Sequence, residues 1–243
     1  MQKQKSQRGF SVIELLIVVV LLLILVASVF QLINLAVARS NAEQTKLDMF
    51  QEAREFMDQM SRDLHQAGYP NPRHFLEHGV LTASPVTNDG SNAVGVVNVD
   101  SGDLWFEGDV DGTGVISVVR YHLDTSTSNG CPCLRRSQLT KIDGNPVDGQ
   151  TAENYQIQVQ GVQNTDIFSA FARGTTGIPI TLPVNFNDNG PDIASVDTIK
   201  ATLSLRSPTA DPKTGQHPET TLVMTAKLNN CSQAADTYPM SCR

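Results

Sequence analysis

Few residues in this chain have the types and spacing that chemistry requires, and each set has a plainer structural reading beside it. Asp109, Asp111 and Thr113, in D-V-D-G-T-G, have the one-three-five spacing of oxygen ligands in a calcium loop. The twelfth position of such a loop is Arg120, where a bidentate glutamate is needed, so a Gly- and Asp-rich hairpin turn is the first reading. Asn187-Asp188-Asn189-Gly190 is a second polar turn with a weaker claim. Cys131, Cys133, Cys231 and Cys242 give an even count and three pairings, and the C-x-C spacing does not suit a zinc site. His74 and His78 flank Glu77 at a metal-compatible spacing, but prolines lie just upstream and no third ligand is near. No nucleophile–base pair, phosphate loop or carboxylate pair stands out. An enzyme is not expected, nor any cofactor beyond calcium at Asp109, Asp111 and Thr113.

The one remaining anomaly is Glu14, a carboxylate at the edge of an apolar run. Between Glu14 and Arg39 the chain has 24 consecutive positions without a charge. As a helix that stretch is about 36 Å long, enough for the roughly 30 Å hydrocarbon core of a bilayer. Lys3, Lys5 and Arg8 precede it with no acid among them. By the positive-inside bias the N-terminus is cytoplasmic and the body lies outside. The apolar run outlasts a secretory signal's and closes on no good cleavage site. A carboxylate at that edge costs several kcal/mol unless it is paired, so a plain anchor has no reason to keep it.

The elements around these residues follow from composition. The chain has 243 residues, a formal charge of −7 and 40% hydrophobic residues. Those averages conceal an apolar rod joined to a polar, acidic body. An acidic body whose basic residues do not cluster with aromatics is not expected to bind nucleic acid. No Gly or Pro occurs from Phe10 to Ala67, so one helix is expected over that whole range. Its second half carries a stripe of Phe50, Ala53, Met57, Met60, Leu64 and Ala67 at alternating three- and four-residue spacing. Glu52, Arg54, Glu55, Asp58, Arg62 and Asp63 are assigned to other faces. Gly68 and Tyr69-Pro70-Asn71-Pro72 end the helix. Beyond it, residues 104–106 and 115–123 read as a hairpin about Gly108 to Gly114. Tyr155 to Val162, Ile199 to Leu205 and Thr221 to Leu228 read as further strands. The expected fold class is α+β, a long helix against an antiparallel β-rich meander.

R-G-F-S-V-I-E-L-L-I-V-V-V, from Arg8 to Val20, resembles the leader and N-terminus of type IV pilins and type II secretion pseudopilins. F-M-D-Q-M-S-R-D-L-H-Q-A-G-Y, L-W-F-E-G-D-V-D-G-T-G-V-I-S-V-V-R-Y-H-L and D-T-I-K-A-T-L-S-L-R-S are similar to PilW-type minor pilins. The resemblance implies a leader of residues 1–9 cut after Gly9 by a prepilin peptidase, with Phe10 the new, N-methylated terminus. It implies that Glu14 pairs with the N-terminal amine of a neighbouring subunit, and that residues 10–38 form a membrane and filament-core helix. Residues 39–68 would carry that helix into an exported domain over 69–243. Many major pilins break the apolar helix with proline or glycine, and this chain does not. A Cys231–Cys242 bridge would match the disulfide-bounded loop of many pilins, leaving Cys131 and Cys133 to close a small ring or stay reduced; cross-pairing is the rival.

The implied role is a structural minor pilin in pilus assembly and priming. Its partners would be other minor and major pilins, the peptidase, the inner-membrane assembly platform and membrane lipid. The protein would sit in the inner membrane with its body periplasmic, then at the pilus surface. A J-type pseudopilin and a tip adhesin or ligand-binding pilin are the alternatives.

Overall fold

The computed structural model describes residues 11–69, 90, 93–127, 131–150, 152–174, 177–187 and 190–229. Helix α1 runs unbroken over Val12–Gln66, 55 residues and about 82 Å. The absence of Gly and Pro allows this length, and Gly68, at φ 75°, ends it with a conformation that disfavours other residues. The expected start at Phe10 lies outside the described residues.

Among the described residues nine strands follow: β1 (Val96–Val99), β2 (Asp103–Gly108), β3 (Ser117–Asp124), β4 (Cys133–Thr140), β5 (Gln156–Gln160), β6 (Phe168–Ala172), β7 (Val184–Asn185), β8 (Val196–Arg206) and β9 (Glu219–Lys227). A one-and-a-half-turn helix α2 (Gly190–Ser195) precedes β8. The strands form two antiparallel sheets rather than one meander: β5-β4-β3-β2-β1-β7 and β6-β8-β9. The expected hairpin is β2–β3, paired from Asp103↔His122 to Gly108↔Ser117. The sheets meet at Gly161–Val162. Both of these amides donate to the Pro132 carbonyl, at 2.9 and 3.2 Å, and Val162 bridges to Leu205 on β8.

The second half of α1 lies against β9 and β5, so the helix sits where both sheets can cover it. Its buried residues are Ala42, Met49, Ala53, Phe56, Met57, Met60, Asp63 and Leu64. This corrects the expected stripe at two points. Phe50 is only half-buried, with the Arg54 guanidinium 5.3 Å from its ring, while Met49 and Phe56 take core positions. At about 100° per residue Phe50 falls roughly 80° from the centre of the stripe, whereas Met49 falls within about 20° of it. Asp63, assigned to the polar face, is buried. It lies seven residues from Phe56, on almost the same azimuth.

The core around this face is apolar. The Phe56 ring meets Tyr121 edge-on at 5.6 Å, and Phe106 stacks on Tyr121 at 6.2 Å. Ile199, Ala201, Leu203 and Leu205 supply the inner face of β8, in the expected alternation. On β5 only Val159 is buried; a register shift between Leu134↔Val159 and Arg135↔Ile157 turns Ile157 to the other face, where it is exposed.

Candidate functional site

Two features of α1 can act on other molecules or hold the part that does. The first is its free half. Every residue from Ser11 to Asn41 is exposed, including an unbroken apolar run from Leu15 to Leu25. Exposed apolar patches on soluble monomers rarely exceed a few hundred Å². A rod of this length must therefore be covered by lipid or by other chains. Among the described residues, α1 is the helix long and apolar enough to cross a membrane. Glu14 lies in its first turn, where the helix dipole favours a negative charge.

The second feature is the way the other half is held. Asp63 Oδ2 accepts from the Tyr121 hydroxyl at 2.6 Å and from Arg136 Nε at 2.9 Å, and Arg136 Nη2 lies 2.8 Å from the same oxygen. Arg136 also donates to Gln138 Oε1 at 2.8 Å. One helix carboxylate thus binds residues from both β3 and β4. Burial and the Asp63 charge push the Tyr121 hydroxyl well above its ordinary range. Burial alone would lower Arg136, but Tyr121 and Asp63 outweigh it, and its pKa rises.

The helix end is pinned by backbone. The Gly68 N–H donates to the Glu107 carbonyl at 2.8 Å, and the Asp109 N–H to the Tyr69 carbonyl at 3.0 Å. Gly108 permits this approach, since a Cβ there would stand 2.4 Å from the Gln66 carbonyl oxygen. The Glu107 side chain pairs with Lys141 at 2.7 Å, both almost fully buried, and accepts the Val94 N–H at 3.0 Å.

The candidate calcium residues form a loop between β2 and β3. Both Asp109 carboxylate oxygens accept loop amides, from Thr113 at 3.0 Å and Gly114 at 2.9 Å. Asp111 accepts the Thr113 hydroxyl at 2.7 Å, and bonds from Thr113 hold its carboxyl below the ordinary value. Gly112 and Gly114 take the positive φ this turn needs, 68° and 81°. Arg120 points elsewhere. It binds Asp103 at 2.9 Å, pairs with Glu153, and stacks 4.1 Å over Trp105.

Cys131 and Cys133 are joined by a disulfide around Pro132. Asp124 lies beside them but is paired with Arg135 at 2.8 Å. Lys3, Lys5, Arg8, Gly9, Phe10, His74, His78, Asp188, Asn189, Cys231 and Cys242 lie outside the described residues.

Residues 4–30 match the family described as "Prokaryotic N-terminal methylation motif". The chain carries a type IV pilin-like prepilin signal. That signal supports a type IV pilin or pseudopilin and points to a structural protein anchored in a membrane through α1, processed by prepilin peptidase and assembled with other pilins. No curated protein and no solved structure shows significant similarity to the chain. The Asp63 clamp was missed in the sequence, although its position on the buried stripe was a readable signal.

Proposed function

We propose that this chain is a minor pilin of PilW-like plan, a structural subunit that helps to prime and assemble a type IV pilus. The observation that carries this reading is the exposed apolar rod of α1, which begins inside the prepilin signal and stays bare up to Asn41. In this reading the peptidase cuts after Gly9 and Phe10 becomes the methylated terminus. In the filament, the rods of neighbouring subunits cover one another. Glu14 would be the one carboxylate in that packed core, and a buried carboxylate requires a cationic partner. The terminal amine of an adjacent subunit is that partner. The body, held on α1 by Asp63 and Arg136, then stands at the filament surface.

Recovery of Glu14→Ala in sheared filaments tests the assembly role. The protein should stay in the membrane fraction and drop out of the filament fraction. Wild-type recovery of the variant in filaments would contradict the role given to Glu14.

A further inference from the structure

The two sheets have four edges, and three of them are closed to a further strand. Strand β7 is two residues long. Strand β5 has five residues and loses register between Leu134 and Arg135 of its neighbour. Strand β6 is bridged from Phe171 to Pro179, and the Ile180 N–H donates to the Ala170 carbonyl at 2.8 Å. Short strands, register breaks and covering loops are common ways to blunt an edge. Among the described residues β9 has none of them. It ends the three-stranded sheet, and its nine residues pair with β8 without a break from Thr198↔Lys227 to Arg206↔Glu219.

Bonds at both ends fix the phase of the β8–β9 ladder. The Leu228 N–H donates to the Asp197 carbonyl at 2.9 Å, and the Ser207 N–H to the Pro218 carbonyl at 2.8 Å. Hydrogen-bonded pairs alternate along an antiparallel ladder, so Thr220, Leu222, Met224 and Ala226 direct their backbone groups to β8. Glu219, Thr221, Val223, Thr225 and Lys227 turn theirs away from the sheet. Among the described residues no strand pairs with that side. No proline interrupts β9, and its only charges are Glu219 and Lys227, at opposite ends. The side chains follow the same alternation. Thr221, Val223 and Thr225 are exposed, while Leu222 and Met224 pack against the core and stay only half-buried. A strand laid along β9 would satisfy its open backbone groups and finish covering Leu222 and Met224.

We propose that β9 is a docking edge that takes an added antiparallel strand from another protein. The segment it fits is extended and uncharged in its middle, with apolar residues opposite Leu222 and Met224. A carboxylate stands opposite Lys227 and a cation opposite Glu219, since opposite charges across a strand pair stabilise it. Main-chain hydrogen bonds hold such a segment, and its alternate side chains select it. A second copy of this chain does not fit. Antiparallel pairing of β9 with its own copy has a two-fold axis normal to the sheet. That axis turns the second α1 rod the opposite way, whereas copies anchored in one bilayer share a direction. The exclusion of a second copy rests on the membrane-anchored reading of α1; the strand addition does not.

The probe is a capped, fluorescein-labelled peptide of alternating valine and threonine, with aspartate at its first position and lysine at its ninth. It is added to the full-length protein in detergent and followed by fluorescence anisotropy. Val223→Pro removes one outward N–H and leaves the β8 ladder intact, and Val223→Thr keeps that N–H. The peptide should bind wild type and Val223→Thr alike, and Val223→Pro about tenfold more weakly. Exchanging its two end charges should also weaken binding. Amide hydrogen exchange over residues 219–227 should slow when the peptide is bound, and circular dichroism checks that each variant is folded. No binding to wild type at about 1 mM peptide, equal binding to Val223→Pro, or slowed exchange only elsewhere overturns the strand addition. Equal binding of the charge-exchanged peptide overturns the chemistry given to the partner. A wild-type dimer in sedimentation velocity that Val223→Pro dissociates would assign the edge to a second copy instead. Flotation with phospholipid vesicles reports on the α1 anchor separately.

Discussion

One helix, two solvents: the halves of α1 share a backbone and differ in what surrounds them. From Ser11 to Asn41 every residue is exposed, and from Ala42 onward one face is buried under two sheets. The free half is mostly apolar, carries no charge between Glu14 and Arg39, and touches none of the body. The docked half is set by particular contacts, namely a narrow stripe, one buried carboxylate and a glycine that admits the helix end. Uniform apolarity suits lipid or a filament of like helices, where any azimuth can be covered. A body carried at a defined angle needs a helix that cannot turn on its own axis, and Asp63 bound to both β3 and β4 supplies that constraint.

The contrast can be broken by substitution on either side of Ala42. The largest effect is expected for Asp63→Ala, which strips the half-buried Arg136 guanidinium of its carboxylate. Losing one member of a buried pair costs about 3–5 kcal/mol. Thermal unfolding of the full chain in detergent should show the transition fall sharply. A transition within a degree or two of wild type would mean that the clamp contributes little. Gly108→Ala should come next. Its Cβ would stand 2.4 Å from the Gln66 carbonyl oxygen, and the helix end must move away. Overpacking of this kind costs about 1–3 kcal/mol; denaturant midpoints measure it.

A pH series sharpens the same point. The pKa of Tyr121 is raised in the fold by burial and by Asp63. Folding therefore favours the neutral phenol. That stability is complete below the unfolded value of about 10 and is lost as pH rises beyond it. Tyr121→Phe should start lower in stability and show less of this alkaline loss. An unchanged alkaline slope would assign the loss to other groups. The smallest effect is expected on the free half. Val20→Ala should leave the unfolding of the body within about 0.5 kcal/mol of wild type, because Val20 touches none of it. A larger shift would show that the two halves are coupled.

Much of this contrast was legible in the sequence. The absence of Gly and Pro, the gap between Glu14 and Arg39, and the alternation from Ile199 to Leu205 follow from local periodicity, which a sequence states directly. What was not legible depends on chains meeting in space. Asp63 looked like a surface acid because its partners are 58 and 73 residues away. The strand β4, reading C-L-R-R-S-Q-L-T, hides its inward Leu134 and Arg136 behind adjacent polar residues. The division into two sheets turns on the Pro132 carbonyl and Gly161, a contact with no periodic signature. Of the functional site, the charge-free length of the rod was readable and the clamp only as a position on a stripe.

In the proposed function the bare rod is a processed pilin terminus. Intact-mass analysis of the cellular protein, wild type against Gly9→Ala, tests it most directly. The expected wild-type mass is that of a chain beginning at Phe10 with one added methyl group, and the Gly9→Ala protein should be unprocessed and heavier. A wild-type mass that retains residues 1–9, unaltered by the substitution, would contradict it.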